Sequence, residues 1–419
     1  MSKALDVAVV GGGAAGFFGA IAAAQNPHAR ITLYEAGPEP LAKVRISGGG
    51  RCNVTHHCFE PARLVQNYPR GGKALRGAFS RFQPKDTVAW FKQRGVKLKT
   101  EADGRMFPVT DDSATIVDCL TNAAQQAGVT VKVRSPVVAI RKIDSVFELS
   151  LKSSKGKQSN GSPQNVVTCD RLLLTTGSSP VGLRAAKALG HTLEPSVPSL
   201  FTFNVADKRL HQLSGVAVDP VDLRLKADGV KPLTQSGPLL ITHWGLSGPA
   251  VLKLSAWGAR LLHTQRYRAT LSVNWLPALT QEQVRSKLLD AKAAHGKKAI
   301  AGFSPFSPIS KRLWQYLLAR NDIEPTTTWA NISKKQINKL VQELTQGSYA
   351  VMGKGTFKDE FVTCGGVKLK EVNFKTMESR LCSGLYLAGE ILDIDGVTGG
   401  FNFQSAWTTG WLAGQAISQ

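Results

Sequence analysis

Residues 5–16 read Leu5-Asp6-Val7-Ala8-Val9-Val10-Gly11-Gly12-Gly13-Ala14-Ala15-Gly16, an apolar run that leads directly into a glycine turn. The valine-rich run predicts a buried strand, and the small residues from Phe17 to Gln25 predict a helix after the turn. Residues 30–34 predict a second strand, which ends at Glu35. Strand, G-x-G-x-x-G, helix, strand and acid, in that order, are typical of a βαβ unit that binds a dinucleotide.

Each part of this pattern has a physical role in holding a dinucleotide. The first glycine permits the tight turn, the second lets the backbone approach a pyrophosphate, and the third lets the helix lie close to the sheet. Free N–H groups at the start of the helix attract phosphate, helped by the helix dipole. An acid 24 residues after the first glycine can accept both hydroxyls of an adenosine ribose. The residues predicted to contact the cofactor are Gly11, Gly13, Ala14, Ala15, Gly16, Glu35 and Ala36.

Length and composition limit the class of protein. A chain of 419 residues can bury a full core and is long enough for two or three domains. It contains no apolar window of about 18 residues, so no membrane span is expected, and its first apolar run is too short for a signal peptide. The six cysteines form no C-x-x-C pair, which favours reduced thiols in a cytoplasmic protein and no metal site. They are Cys52, Cys58, Cys119, Cys169, Cys364 and Cys382.

The net charge of +22 is concentrated in two segments of the chain. Residues 43–99 contain 13 Lys and Arg against two Asp and Glu, and residues 251–345 contain 15 against five. Segments of this kind form either an ordinary basic surface with cofactor-binding arginines or a groove for a polyanion such as RNA. Composition leaves both interpretations open.

A second glycine segment follows the βαβ unit, between Lys43 and Thr55. Its three consecutive glycines predict a loop rather than a regular element, and the backbone amides of such a loop can wrap a ligand. Lys43, Arg45 and Arg51 could neutralise phosphate charge. The alternative is a plain surface turn. The predicted cofactor contacts here are Lys43, Ser47, Gly48, Gly49, Gly50, Arg51, Cys52 and Asn53.

Two later segments return to the same predicted sheet. Residues 171–177 form an apolar run that ends at Thr176 and Gly177, which predicts a parallel strand and a turn beside the cofactor. Residues 384–390 predict a further strand ending at Gly389 and Glu390, and a small-residue helix is predicted from Ser405 to Ile417. The glycines before that helix predict another helix N-terminus aimed at the cofactor.

The middle of the chain has a different texture. From Glu194 onward, alternating apolar residues predict strands of a separate antiparallel domain, and residues 280–345 predict basic helices inserted within it. The predicted fold is therefore α/β, with a discontinuous Rossmann-like domain, an inserted antiparallel β domain and a helical subdomain. The predicted boundaries are 1–192 with 355–419 for the Rossmann-like domain, 193–276 with 346–354 for a β-barrel-like domain, and 277–345 for the helical insert.

Motifs spread over nearly the whole chain resemble those of the two-dinucleotide-binding flavoprotein superfamily, and more closely those of the BaiN-like flavoprotein family. The matching stretches are 11–16, 46–55, 68–71, 104–108, 242–249, 365–367, 376–379 and 388–402.

The resemblance implies FAD, held by the first glycine turn, by the 47–53 loop and by the Val137 region near the adenine. It also implies that Gly389, Glu390, Gly400, Phe401, Asn402 and Phe403 lie near the ribityl chain and the flavin. Members of the family are linked to amine oxidation, to reduction of steroid-like enones and to formation of dihydrouridine in ribosomal RNA. The resemblance therefore limits the cofactor more than the substrate.

One superfamily feature is missing, because no second G-x-G-x-x-G follows a strand in the middle of the chain. NAD(P)H, if it is the reductant, is then expected to bind and leave at the flavin face. The absence of a redox C-x-x-C pair disfavours disulfide reductase chemistry.

Three functional hypotheses remain. The first is an NAD(P)H-driven flavoenzyme that reduces a C=C bond, in a small molecule or in an RNA base, with Cys52 as the proton donor and His243 or Tyr68 as alternatives. Cys52 could instead be a packed small thiol. The second is a flavin oxidase of a small amine or other metabolite, and the third is an RNA-binding flavoprotein with structural FAD. Aromatic residues could stack RNA bases or belong to the core: Tyr68, Phe79, Phe82, Trp90, Trp244 and Trp314.

Overall fold

The structure, a computed structural model, describes residues 4–152, 165–227, 230–355 and 362–419. In these ranges the strands are, in chain order, β1 Leu5–Val10, β2 Ala29–Tyr34, β3 Thr55–His56, β4 Leu98–Thr100, β5 Arg105–Pro108, β6 Thr130–Lys132, β7 Val137–Ile143, β8 Val146–Leu151, β9 Asn165–Cys169, β10 Arg171–Leu174, β11 Leu193–Ser199, β12 Phe203–Val205, β13 Ala217–Lys226, β14 Leu233–Thr242, β15 Gly245–Ser247, β16 Ala269–Asn274, β17 Gly347–Lys354, β18 Val362–Val367, β19 Val372–Asn373, β20 Glu378–Ser379 and β21 Leu385–Leu387.

The α-helices of the same ranges are α1 Ala14–Ala23, α2 Ala42–Gly50, α3 Pro61–Leu64, α4 Gly72–Phe79, α5 Pro84–Gln93, α6 Ala114–Gln126, α7 Pro180–Ala188, α8 Lys208–His211, α9 Pro249–Trp257, α10 Ala259–Thr264, α11 Gln281–Ala294, α12 Lys311–Arg320, α13 Lys334–Gln346 and α14 Phe401–Ser418. Short 3₁₀ turns cover Val65–Asn67, Ile300–Gly302, Trp329–Asn331, Leu369–Glu371 and Gly389–Ile391.

The strand β1 lies within a seven-stranded sheet of order β19-β20-β21-β10-β1-β2-β6. It pairs in parallel with β10 and β2, so that Val9 lies opposite both Leu173 and Leu33. All three side chains are fully buried, because a parallel strand between two layers must be apolar on both faces. The predicted α/β fold class, with a Rossmann-like sheet built from both ends of the chain, is confirmed.

Helices α1 and α14 pack together through glycines. A Cβ on Gly410 would lie 2.5 Å from the carbonyl oxygen of Ala15, and a Cβ on Gly414 would lie 2.4 Å from that of Gly19. Small residues at these positions let the two backbones approach closely. Because Gly410 is beside Ala15 and Gly414 is beside Gly19, the helices run in the same direction. At 1.5 Å per residue, the start of α14 extends roughly 12 Å beyond the start of α1.

The middle of the chain forms a closed barrel of order β12-β15-β14-β13-β16-β17. Helices α9 to α13 pack onto it, and the barrel and these helices share one hydrophobic core. The described residues group into two compact units, one within 1–197 and 361–419 and the other within 198–360. The second unit thus contains both the barrel and the basic helices, and the three-domain boundaries given above stay a prediction.

Three further findings concern the described ranges alone. No helix there has the length and apolar character needed to cross a membrane. No group of three His, Cys, Asp or Glu side chains is arranged there to hold a metal ion. The six cysteines are free thiols.

Candidate functional site: a dinucleotide cradle at the start of α1

The glycine turn after β1 has the close contacts that its sequence predicts. Gly11 has a φ of +111°, and a Cβ there would lie 2.5 Å from the carbonyl oxygen of Thr175. A Cβ on Gly16 would lie 2.0 Å from the carbonyl oxygen of Gly11. Both positions therefore exclude any side chain, Gly11 because β10 ends against it and Gly16 because the helix starts against the turn.

Gly13 differs from these two glycines because it faces open space. It is the N-cap of α1 with an ordinary φ of −87°, and no atom lies within 4 Å of the position of a Cβ. No side chain caps the helix, and its first turn contains no acid. The N–H groups at Ala14 and Ala15 are therefore free of side-chain caps, at the positive end of the helix dipole. An anionic group such as a pyrophosphate fits this cradle.

The Glu35 carboxylate is fixed by the backbone on either side of it. The N–H of Gly12 donates to Glu35 Oε2 at 2.7 Å, and the N–H of Gly37 donates to Oε1 at 2.6 Å. Each oxygen keeps a further lone pair for a hydroxyl. Ala36, which lies between Glu35 and Gly37 in the chain, is exposed. The acid is thus held just after β2, where its oxygens could accept hydrogen bonds from ribose hydroxyls.

The glycine segment 43–53 is helical only at its start. The first residues of α2 are helical, whereas the three glycines, for which the sequence predicts a loop, are not. The helix is then broken, with Ser47 extended (ψ 151°) and Gly48 and Gly49 left-handed. Gly49 and Gly50 have φ values of +70° and +84°, and a Cβ on either would meet nothing within 4 Å. Their backbone is accessible, as a ligand-wrapping loop requires.

Three separate segments meet at Glu390. Lys43 forms an ion pair with its carboxylate, and a Cβ on Gly177 would lie 3.4 Å from Glu390 Oε2. The neighbouring Gly389 lies against α1, since its Cβ would be 2.9 Å from that of Ala15. Segments that are up to 347 residues apart in sequence therefore converge beside the α1 cradle.

The start of α14 is held against the end of the glycine segment. In the amide orientation that satisfies both neighbours, Asn53 accepts from the N–H of Gly400 and donates to the carbonyl of Thr55, each at 3.0 Å. The ring of Phe401 stacks on His56 with centroids 4.7 Å apart, and the Asn402 amide bonds to Gly396 in both directions. The Phe403 ring stacks on Trp407. This helix begins at Phe401 and not at Ser405, so these residues form its first turn.

Val137 and Thr176 lie at the edges of this arrangement. Two residues before Val137, the N–H of Ser135 donates to the carbonyl of Glu35 at 2.8 Å, so β7 starts close to the acid. The Thr176 hydroxyl is buried and has no hydrogen-bond partner among the described residues. It lies against Gly182 at the start of α7.

Arg51 has carboxylate partners within the protein. Its guanidinium lies 2.7 Å from Glu101 and 3.4 Å from Asp111, and it packs over the Phe107 ring at 4.0 Å. Its charge is therefore already balanced by carboxylates of the protein. That Arg51 contacts a phosphate stays a prediction. Arg45 is exposed and lies 3.6 Å from Glu39.

Cys52 is fully buried, with a left-handed φ of +61°. Burial raises the pKa of its thiol to about 12, in spite of a hydrogen bond with Ser47 that lowers it. The thiol is thus protonated at neutral pH but has no surface through which a substrate could reach it in this conformation. Its assignment as proton donor stays a prediction, and the burial favours the packed-thiol alternative.

The other proton-donor candidates differ in exposure. Tyr68 is buried and donates to the carbonyl of Phe401 at 2.7 Å, and burial raises the pKa of its hydroxyl well above the ordinary value. His243 is exposed at the turn between β14 and β15. Of the aromatics considered for base stacking, Tyr68, Phe79, Phe82 and Trp314 are core side chains; Trp90 and Trp244 are half-buried.

Sequence reasoning missed a buried ion pair beside this site. Arg70 and Asp395 are joined by two hydrogen bonds, and Asp395 has no exposed side-chain surface. The pair ties the turn before α4 to the turn before α14. Both residues belong to turns that the sequence singles out, but no local signal links residues 325 positions apart.

A second buried cluster has the residue types of a hydrolase triad. Ser379 Oγ lies 2.9 Å from His191 Nε2, and His191 Nδ1 lies 3.1 Å from Glu371. The N–H groups of Leu381 and Cys382 also donate to Ser379 Oγ, so its lone pairs are occupied. All three triad side chains are buried. The cluster is structural, since the serine is neither accessible nor free to attack.

The chain is similar to known proteins over nearly its whole length. Residues 5–416 match the HI0933-like protein Rossmann domain family. Ribosomal RNA dihydrouridine synthase from Escherichia coli (strain K12) is 31% identical over 424 residues, which cover 98% of each chain. The 3-dehydro-bile acid delta(4,6)-reductase from Clostridium scindens is 28% identical over 426 residues, which cover 99% of each chain.

A solved structure shows the same fold at low identity. The 3-ketosteroid-delta4-(5alpha)-dehydrogenase from Rhodococcus jostii RHA1, in complex with 4-androstene-3,17-dione, superposes with a TM-score of 0.51 and 14% identity. The match covers 99% of this chain and 97% of that one. With the full-length family match, these findings confirm the resemblance drawn from the motifs. The chain belongs to the HI0933-like Rossmann-domain family of flavoprotein oxidoreductases.

Proposed function

We propose that this protein is an FAD-dependent reductase that uses NAD(P)H to reduce a C=C bond in a pyrimidine base of RNA. The observation that carries the cofactor assignment is the convergence of Lys43, Gly177 and Gly389–Glu390 beside the open N-terminus of α1. One adenine dinucleotide with a flavin at its far end accounts for all of these segments. The fit is chemical as well as steric, since the cradle at Gly13 has free amides and no acid.

The residues of the chain would share the work of holding this cofactor. The first amides of α1 would bind the pyrophosphate, and Glu35 would accept the ribose hydroxyls. The backbone of residues 48–50 and the first turn of α14 would lie along the ribityl chain and the flavin. FAD supplies hydride transfer between the nicotinamide and the acceptor. The protein would hold FAD in place, and the surface around the flavin would determine which acceptor is reduced.

The acceptor assignment rests on charge and on relatives. The net charge of +22 is far more than a cofactor with two phosphates needs, and excess basic charge favours a polyanionic substrate. A relative at 31% identity over the whole chain is named a ribosomal RNA dihydrouridine synthase. The balanced reaction would consume NAD(P)H, a proton and the C=C bond of the base, and release NAD(P)⁺ and the dihydro base.

A three-part anaerobic experiment tests this function. Purified protein should be yellow and should release FAD on denaturation. NADH or NADPH should bleach the flavin. Reduced protein should then be reoxidised by ribosomal RNA lacking its modifications, with dihydrouridine found by mass spectrometry of the digested RNA.

The alternatives give different results in the same experiment. Reoxidation by a conjugated enone but not by RNA would show that the acceptor is a small molecule. Bleaching by an amine, with fast reoxidation by oxygen and hydrogen peroxide release, would indicate a flavin oxidase. Colourless protein that cannot be reconstituted with FAD would overturn the whole proposal.

A further inference from the structure

The second compact unit contains a pair of antiparallel helices, α11 and α13. Arg285 on α11 bonds to Asn338 on α13, and the Lys292 ammonium donates to the carbonyl of Ile332, just before α13, at 2.6 Å. The end of α11 therefore lies beside the start of α13.

Backbone hydrogen bonds fix the loops at this end of the pair. The N–H of Ala330 donates to the carbonyl of Gly296 at 2.9 Å, and the N–H of Trp329 donates to that of Lys298 at 3.0 Å. The fully buried Trp329 side chain anchors the loop before α13 in the core. The loop after α11 and the loop before α13 thus form one ordered surface.

Four lysines lie in the loop after α11 and at the start of α13, and we call them the lysine patch: Lys297, Lys298, Lys334 and Lys335. All four are exposed. Within the described ranges none of them forms an ion pair or a side-chain hydrogen bond. Of the acids on the two helices, Glu282 lies near Arg285 and Glu343 pairs with Arg320, both at the opposite end. The third, Asp290, is exposed in the half of α11 nearer the patch and forms no ion pair within the described ranges.

The position of two of these lysines is unfavourable for folding. Ser333 is the N-cap of α13, with a complete capping box, so Lys334 and Lys335 are the first two residues of the helix. Cations there oppose the helix dipole, and acids are the stabilising choice. Cations at a helix start without an ion pair inside the protein are expected where an external anion compensates for them.

We propose that the lysine patch binds backbone phosphates of the RNA substrate. This rests on the RNA substrate given under the proposed function. Lysine ammonium groups act as point charges on phosphate oxygens, and the backbone N–H groups of Lys334 and Lys335, which the capping box does not use, add to the same positive potential. The patch sets affinity and placement of the strand without reading its sequence.

The test uses two double variants and a matched control. K297A/K298A and K334A/K335A each remove two charges from the patch. R184A/K187A removes two charges from exposed positions on α7 in the other unit. Binding of a fluorescein-labelled ribosomal RNA stem-loop is measured by anisotropy over a range of salt concentrations, beside thermal unfolding and flavin reduction by NAD(P)H.

Each patch variant should weaken RNA binding about tenfold near physiological salt and reduce the salt slope by roughly 1.4, as expected for two lost phosphate contacts on a single strand. The thermal midpoint of K334A/K335A should rise, since the repulsion at the helix start is removed. Flavin reduction and the control's RNA affinity should match those of the wild type.

The failures are distinguishable. Unchanged RNA affinity and slope in both patch variants would overturn the patch while leaving the RNA substrate intact. Wild-type protein that does not bind the stem-loop at all would remove the RNA part of the proposed function as well. Loss of binding to anionic phospholipid vesicles, without any effect on RNA, would assign the patch to a membrane surface and contradict the inference.

Discussion

At the scale of single residues, the glycines of the first turn have two different roles: Gly16 is required for packing, and Gly13 leaves space for a ligand. Gly16 faces the carbonyl of Gly11 with no room for a methyl group, whereas Gly13 faces open space. The sequence pattern treats both as parts of one fingerprint. The structure shows that a side chain at one would disturb the fold and that a side chain at the other would enter the predicted pyrophosphate position.

This contrast gives the first prediction. Gly13→Ala should fold with a thermal midpoint close to the wild type but bind FAD roughly tenfold more weakly or worse, because its methyl group occupies the cradle. Gly16→Ala should lose soluble, folded protein, because its Cβ would lie 2.0 Å from a carbonyl oxygen. FAD content, titration of the apoprotein and circular dichroism measure the difference. Equal FAD affinity in Gly13→Ala and wild type would place the cofactor elsewhere.

Cys52 provides a second prediction at this scale. Its thiol is fully buried, with a pKa raised to about 12 by burial, so we expect its packing to matter more than its proton. Cys52→Ala should keep flavin reduction and acceptor turnover within about threefold of the wild type, with modestly lower stability. Loss of acceptor turnover by two orders of magnitude or so, with flavin reduction unaffected, would establish Cys52 as the proton donor instead.

At the scale of secondary structure, α14 is the element on which the site depends most. Its middle packs against α1, and its first turn is bonded to the glycine segment through Asn53. Between these, Gln404 is fully buried. Its amide oxygen accepts from the hydroxyls of Thr55 and Thr87, and its amide nitrogen donates to Thr408.

Removing that amide should therefore be costly. Gln404→Ala removes the acceptor of the Thr55 hydroxyl, leaves Thr87 only its longer bond to the carbonyl of Gln83, and opens a cavity, and we expect a loss of roughly 2–4 kcal/mol in the free energy of unfolding. Gln415→Ala on the same helix is the control, since Gln415 bonds to Gln25 in an exposed position. Chemical denaturation measures both, and FAD should dissociate more readily from the first. Equal stability of the two variants would contradict the role given to this network.

At the scale of the whole molecule, the excess of basic residues governs the response to acid. Several carboxylates have a pKa below the ordinary value. Burial alone would raise the pKa of Asp207, but hydrogen bonds from Tyr316, the N–H groups of Leu210 and Arg209, and Arg320 hold it down. A lowered pKa means that its contribution to stability is complete above the unfolded value of about 4 and is lost as the pH falls below it.

We therefore expect the thermal midpoint to fall steeply below about pH 4, because protonated carboxylates lose these bonds while the net charge rises above +22. Added salt should restore part of the loss, since it screens the repulsion among the lysines and arginines. Asp207→Asn should be less stable at neutral pH and should show a flatter decline in acid. A variant profile parallel to that of the wild type would rule out Asp207 as a contributor.

The sequence alone determined the Rossmann-like sheet, because glycine spacing and apolar runs are local properties of the backbone. It predicted β1, β2, β10 and β21, and it predicted a cofactor site at the start of α1. It also predicted separate strands and basic helices in the middle of the chain. The errors of the prediction were local too. The predicted start of α14 is four residues late, because the glycines and Asn402 are not typical of the first turn of a helix.

Only the tertiary structure decided which distant residues meet. The ion pairs of Lys43 with Glu390 and of Arg70 with Asp395, and the contacts of Gln404, join positions hundreds of residues apart. No composition or periodicity encodes such pairings, because they follow from how the elements pack. The burial of Cys52 and the grouping of the four lysines have the same origin. Residue types and spacing predicted the class of cofactor, whereas packing decided which distant side chains converge beside its predicted site.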